Sequence, residues 1–254
     1  DSMNLPGVQQ LLLEALVDTG KPVIVVMTGG RPYNLQGLEN KVAAFLLAWA
    51  PGQEGGWAIA DILTGRAEPQ GRLVVSVPKN VGAMPFYYNH KLKSGGTPIA
   101  FHFGARYPFG YGLSGTTFSW GTLQSEQDSV AIDGEIRLRM TLTNSGQRQG
   151  SEVVQLYIRD KVASMVRPLQ ELKAFQRVTL QPGETAELCF TLPVDMVNFT
   201  RRDGKRIVEP GEFELQVGSS CRDIHGVSTV TVRGETRVLP CHWRMLSDCK
   251  VNII

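Results

Sequence analysis

The sequence predicts a partial parallel α/β sheet with flanking helices, followed by an all-β sandwich. Three observations carry that prediction. Helix-like and strand-like patterns alternate as far as Pro78. Periodicity then gives way to a Gly-, Pro- and aromatic-rich stretch that runs to about Thr117. From Phe118 onward, short segments of period two are separated by turn signals.

In the front portion, Leu5-Pro6-Gly7 opens the first helix. Val8, Leu11, Leu12, Ala15 and Leu16 fall at i, i+3, i+4, i+7 and i+8, one apolar stripe. Gly20 is placed to end the helix, and Lys21-Pro22 forbids its continuation. Val23 to Met27 is a short apolar run rich in β-branched residues, the pattern of a strand buried on both faces in a parallel sheet. After a turn at Thr28–Pro32, Val42, Phe45, Leu46 and Trp49 predict a second helix over about Glu39–Trp49, broken by Pro51-Gly52. A third helix is expected over Glu54–Thr64, and another strand over Arg72–Val77. So few strands rarely complete a parallel sheet, so neighbours are expected from outside this set.

Beyond Phe118, Ile136, Leu138, Met140 and Leu142 alternate with charged and polar residues. Val153–Ile158, Ala186–Leu192, Phe213–Val217 and Val227–Val232 read as further strands. Turns are signalled at Gln181–Glu184, Asp203-Gly204 and Glu209–Gly211. Residues 235–254 show no clear pattern. The expected division is an α/β portion with its aromatic loop over 1–117, a sandwich over 118–234 and a tail over 235–254.

The 254 residues carry 26 basic and 24 acidic side chains, a net charge of +2. That balance gives no electrostatic reason to expect a nucleic-acid or membrane-surface partner. No apolar run reaches the roughly 20 residues of a membrane helix, and Asp1–Gly7 has neither the basic nor the apolar region of a signal peptide. Cys189, Cys221, Cys241 and Cys249 match no zinc or redox spacing, although Cys241 and Cys249 are candidates to pair. Asn198-Phe199-Thr200 fits the N-glycosylation sequon. No cofactor or metal is expected.

Three stretches invite a chemical reading. Pro51–Gly65 places glycines before a helix, as anion sites do, but lacks P-loop and GxGxxG spacing. A packing role for Gly55 and Gly56 is the better reading. The aromatic loop offers Phe86, Tyr87, Tyr88, Asn89, His90 and His102, flat apolar faces with a few directed polar groups, as sugar clefts require. Tyr88 and His90 are the candidate substrate contacts. The alternative is that these aromatics cement the two portions together. The third search is for the carboxylate pair of glycoside hydrolysis. Asp1, Glu39, Glu54, Asp61 and Glu68 are available, and none is singled out.

Several segments together resemble family 3 glycoside hydrolases, the β-glucosidase and β-xylosidase group. They include Asn4-Leu-Pro-Gly-Val-Gln9, Lys21-Pro-Val-Ile-Val-Val26, Gly30-Arg-Pro32, Ala48-Trp-Ala-Pro-Gly-Gln-Glu-Gly-Gly-Trp-Ala-Ile-Ala-Asp61 and Pro69-Gln-Gly-Arg-Leu73. Phe86-Tyr-Tyr-Asn-His-Lys91 and Tyr107-Pro-Phe-Gly-Tyr-Gly-Leu-Ser114 continue the series. Gln181–Glu184, Glu209–Glu214 and Val217–Asp223 resemble the family's fibronectin type III-like domain. Gly115 stands where the family usually has an aromatic residue.

The resemblance implies an end portion of the family's α/β sandwich domain and its fibronectin type III-like domain. It implies hydrolysis of terminal β-linked glucose or xylose in oligosaccharides. The Asp nucleophile would lie on an upstream TIM-like barrel, and the acid/base Glu ahead of Leu5–Gln9. Neither falls on a numbered residue, so no catalytic residue is assigned. The implied partners are a β-glucoside or oligosaccharide and the barrel, and the implied location is periplasmic or secreted. Two other readings stay open: a non-catalytic module for glycan or protein binding, and a rearranged site using Glu54, Asp61 or His90.

Overall fold

The computed structural model describes residues 2–91 and 104–254. They fall into two compact units, one built mainly from residues 2–69 with 77–86, and one from 70–76, 87–91 and 107–254.

In the first unit, helix α1 spans Gln9–Asp18, strand β1 Ile24–Thr28, strand β2 Ala44–Trp49 and helix α2 Gly55–Leu63. β1 and β2 are parallel, with Ile24 opposite Ala44 and Val26 opposite Leu46. The helix expected over Glu39–Trp49 is therefore corrected. Only Leu38–Asn40 turns, as a short 3₁₀ segment, and Ala44–Trp49 is a strand. Ala and Leu suit a helix, but here the segment pairs its backbone with the β-branched run of β1, and tertiary pairing overrides local preference. The parallel sheet expected from the sequence is thus present in part.

Arg72–Val77 is also corrected. The strand β3 is only Val77–Pro78, in a two-stranded sheet with β4, Ala105–Tyr107. Leu73 instead bonds the aromatic segment, donating to the Tyr111 carbonyl at 2.9 Å and accepting from the Gly110 N–H at 2.7 Å.

The core of this unit is small: Leu13, Met27, Leu35 and Leu38, with Leu5, Val17, Val25 and Phe45 packed against it. α1 reaches it through Leu13 and Val17. The stripe predicted for that helix faces outward, with Val8 72%, Leu11 64%, Leu12 59% and Leu16 45% exposed. Trp57 of α2 is 72% exposed.

The second unit is a β-sandwich. Its strands are β5 Phe118–Trp120, β6 Gln124–Ser125, β7 Ser129–Ala131, β8 Glu135–Asn144, β9 Gly150–Asp160 and β10 Glu171–Leu180. They continue with β11 Thr185–Pro193, β12 Phe199–Thr200, β13 Arg206–Val208, β14 Gly211–Ser220, β15 Asp223–Arg233, β16 Arg237–Val238 and β17 Asp248–Ile253. One sheet has the order β10-β9-β14-β15-β7, the other β17-β11-β8-β5, and β12-β13-β16 form a small third sheet.

The alternation read in β8 is borne out: Ile136, Leu138, Met140 and Leu142 are all buried. They join Val154, Leu156, Leu188, Phe190, Leu215 and Val230 in one continuous core between the sheets. Among the strands that the sequence did not indicate are β10 and the edge strand β17, which pairs with β11 from Ala186–Ile253 to Thr191–Asp248. The turn glycines Gly183 and Gly204 both take φ of +79°, a conformation glycine adopts without steric cost.

One buried side chain ties the sandwich corner together. Asn144 accepts from Thr116 Oγ1 and the Gly146 N–H, and donates to the carbonyls of Arg148 and Leu180, at 2.7–3.0 Å.

Candidate functional site: the aromatic loop and its seat

The aromatic loop is held in place by the sandwich unit. Tyr88 stacks on Phe109 with ring centroids 4.2 Å apart and planes at 14°, and meets the Tyr157 ring edge-on at 6.0 Å. Its hydroxyl accepts a hydrogen bond from the Leu172 N–H at 3.0 Å. Burial pushes the Tyr88 phenol above its ordinary value, partly offset by that bond, and burial does the same to Tyr157. Two residues on, the His90 carbonyl accepts from the Leu169 N–H at 3.0 Å, and His90 Nδ1 lies 3.0 Å from the Lys91 carbonyl. Both predicted contacts are half-buried, while Tyr87 between Phe86 and Tyr88 is 63% exposed. The remaining candidate of that stretch, His102, lies outside the described residues, as does Asp1.

Beneath the loop sits the segment Tyr107–Gly112. The Phe109 N–H donates to Ser76 Oγ at 3.1 Å, and its carbonyl accepts from the Cys221 N–H at 3.1 Å. Arg72 secures the segment entering this region through a buried pair. Its Nη2 and Nε lie 2.8 and 3.2 Å from Glu152 Oε1, which also accepts the Val153 N–H at 2.7 Å. The two side chains are 6% and 9% exposed. Burial raises the Glu152 carboxyl above the usual range, and Arg72 counters only part of it.

A second buried ion cluster flanks Leu172. Arg167 contacts Asp160 and Glu171 at 3.5 and 2.8 Å and lies over the Phe199 ring, while Lys173 reaches Glu171 at 3.5 Å. Burial raises Asp160 and lowers Lys173. Each of these shifted groups has an opposite charge beside it. The perturbed residues of this region therefore read as the seat of the loop.

Among the described front carboxylates, Glu39 and Asp61 are engaged in structural contacts. Glu39 is consumed structurally: its oxygens accept the Leu35 and Gly37 N–H groups at 3.1 and 2.9 Å and pair with Arg106 at 3.1 Å. Asp61 pairs with Arg66 at 3.1 Å, and Glu54 is exposed at the start of α2. Glu54 and Asp61 are seven residues apart, about 10 Å along a helix. Gly55 plays the packing part expected of it, since a Cβ there would lie 2.7 Å from Pro51, whereas Gly56 faces open space. Among the described residues no group of His, Cys, Asp and Glu could hold a metal. Cys241 and Cys249 are both free. The sequon amide of Asn198 donates to the Asp195 carbonyl.

Sequence reasoning assigned no part to Gln155, Tyr157 and Glu152. The signal was present: Gln155 and Tyr157 interrupt the apolar run Val153–Ile158 of a strand buried on both faces, and a buried polar side chain requires partners.

Comparison with known proteins agrees with this architecture. The profile of the glycosyl hydrolase family 3 C-terminal domain matches residues 1–115, and that of the fibronectin type III-like domain matches residues 152–221. A β-xylosidase of Formosa agariphila is 40% identical over 224 residues, which is 87% of this chain and 31% of that protein. The periplasmic β-glucosidase of Salmonella typhimurium is 37% identical over 85% of this chain and 30% of its own length. The crystal structure of a β-glucosidase from Listeria innocua in complex with glucose superposes with a TM-score of 0.85 at 33% identity, covering 92% of this chain and 34% of that one. The chain thus spans about a third of the length of these relatives. With both domain profiles matched in order and the fold shared, the chain belongs to glycosyl hydrolase family 3, of which it carries the C-terminal domain and the fibronectin type III-like domain.

Proposed function

We propose that this chain is the supporting portion of a β-glycosidase that removes terminal β-linked glucose or xylose from oligosaccharides, with the nucleophile and acid/base carboxylates on a part of the protein outside it. The observation that carries this reading is the outward apolar stripe of α1. Val8, Leu11, Leu12 and Leu16 form an apolar face that stays largely exposed among the described residues, and a face of that kind is normally buried against further protein. The relatives have roughly two thirds of their length beyond the matched region.

In this reading the Tyr87–Lys91 loop walls the sugar pocket. Tyr88 offers an aromatic ring held in place by Phe109, and His90 supplies a directed polar group. A periplasmic or secreted location is supported by the relative named as periplasmic.

The test is hydrolysis of aryl β-glucosides and β-xylosides by the purified chain, compared with the polypeptide extended by the residues encoded ahead of Asp1. Activity confined to the extended protein is expected. Hydrolysis by the 254 residues alone would overturn the placement of the carboxylates. Glycan binding without hydrolysis in either protein, lost on Tyr88→Ala, would replace this reading with a binding module.

A further inference from the structure

Strand β9 lies between β10 and β14, and its residues Gln155 and Tyr157 are 3% and 0% exposed. A buried glutamine carries two donors and an acceptor that all need partners. Gln155 Nε2 donates to the Gly110 carbonyl at 3.1 Å and to the Ser219 carbonyl. Its Oε1 accepts from the Tyr157 hydroxyl at 2.6 Å. The fit at Gly110 is close. A Cβ there would lie 2.0 Å from Gln155 Oε1, and the residue takes φ of +83°. Only glycine lets the turn settle on the glutamine.

The turn in question carries Phe109, and Phe109 carries Tyr88. The amides of Leu172 and Leu169 then fix the Tyr88 hydroxyl and the His90 carbonyl. We infer that Gln155 and Tyr157 are positioning residues, a buried relay that sets Phe109 under Tyr88 and thereby orients the Tyr87–Lys91 loop toward the sugar. This rests on the proposal that the loop walls the pocket. Neither residue reaches solvent, so both act through the loop. Small displacements of substrate-positioning groups cost rate or affinity far out of proportion to their size.

The experiment uses the extended, active protein. Gln155→Met removes the relay at similar volume, Tyr157→Phe removes only the hydroxyl, and Leu192→Ala destabilises the sandwich core away from the loop. Two quantities are read: KM and kcat on an aryl β-glucoside, and amide hydrogen exchange in the Tyr87–Lys91 segment and at Leu169 and Leu172. Gln155→Met is expected to raise KM about fivefold with kcat within about twofold, and to speed exchange at those amides. Tyr157→Phe should show the same pattern, weaker. Leu192→Ala should lower the melting temperature and move neither quantity. Unmoved exchange in Gln155→Met would overturn the relay. Faster exchange with unmoved KM would uphold the relay and overturn the loop's place in the pocket wall.

Discussion

Replacing Arg72 with Met takes one partner from a buried ion pair and leaves the other. Glu152 keeps its Val153 N–H bond but loses both guanidinium contacts, in a site where the two side chains are 6% and 9% exposed. Removing one member of such a pair costs about 3–5 kcal/mol, because the remaining charge is desolvated without compensation. At about 2–4 °C per kcal/mol for a domain of this size, the melting temperature should fall by about 10 °C.

The deficit should depend on pH with a definite sign. Burial already raises the Glu152 carboxyl above its ordinary value of 4.5. A carboxyl raised in the folded state binds its proton more readily there than in the unfolded chain, so stability falls as pH rises through the interval between the two values. Loss of Arg72 removes the opposing influence and carries that interval upward. The variant should therefore regain stability relative to the unmodified protein as pH is lowered from 7 to 5. Arg72→Met/Glu152→Met should return to within about 1 kcal/mol of the starting stability, since an apolar pair of similar volume is often neutral. Urea unfolding followed by the fluorescence of Trp120 and Trp243 reads all three proteins. A single variant within about 1 kcal/mol of the parent at pH 7 would refute the reasoning, as would a deficit that does not shrink on acidification.

Asn144→Ala should cost about 3 kcal/mol in the same assay, since four hydrogen bonds go and the buried Leu180 carbonyl loses its side-chain donor. Gly55→Ala should destabilise α2 by about 1–2 kcal/mol through contact with Pro51, whereas Gly56→Ala, which meets open space, should stabilise it by about 0.5 kcal/mol; thermal melts of the two variants should move in opposite directions. At about 2 kcal/mol per fully buried aliphatic side chain, the exposed fractions of Val8, Leu11, Leu12 and Leu16 leave about 5 kcal/mol of association free energy. Through that face the chain should self-associate with rising concentration in sedimentation experiments, and Leu11→Gln/Leu12→Gln/Leu16→Gln should abolish the effect. With a thiol reagent, exposed Cys241 should react fastest, and Cys221 and Cys249, pushed by burial up to about 11 and about 12, should lag even at pH 9.

The sequence by itself determined the sandwich strands whose side chains alternate, above all Ile136–Leu142, because a period of two says which face is buried whatever the partner strand. It also determined α1, α2 and the turns at Gly183 and Gly204, where local geometry dictates the residue. The motif series from Asn4 to Asp223 placed the family before any contact was known. Tertiary structure alone decided the rest. Ala44–Trp49 became a strand because β1 offered it a backbone to pair with. The edge strand Asp248–Ile253 exists only against β11. The direction in which the α1 stripe points depends on Leu13 and Val17 having the sheet. Arg72 and Glu152, eighty residues apart, and Gln155 with Gly110, forty-five apart, are each unremarked in sequence. Their roles come from desolvation and hydrogen-bond satisfaction, which are properties of a buried place and of the residues that meet there.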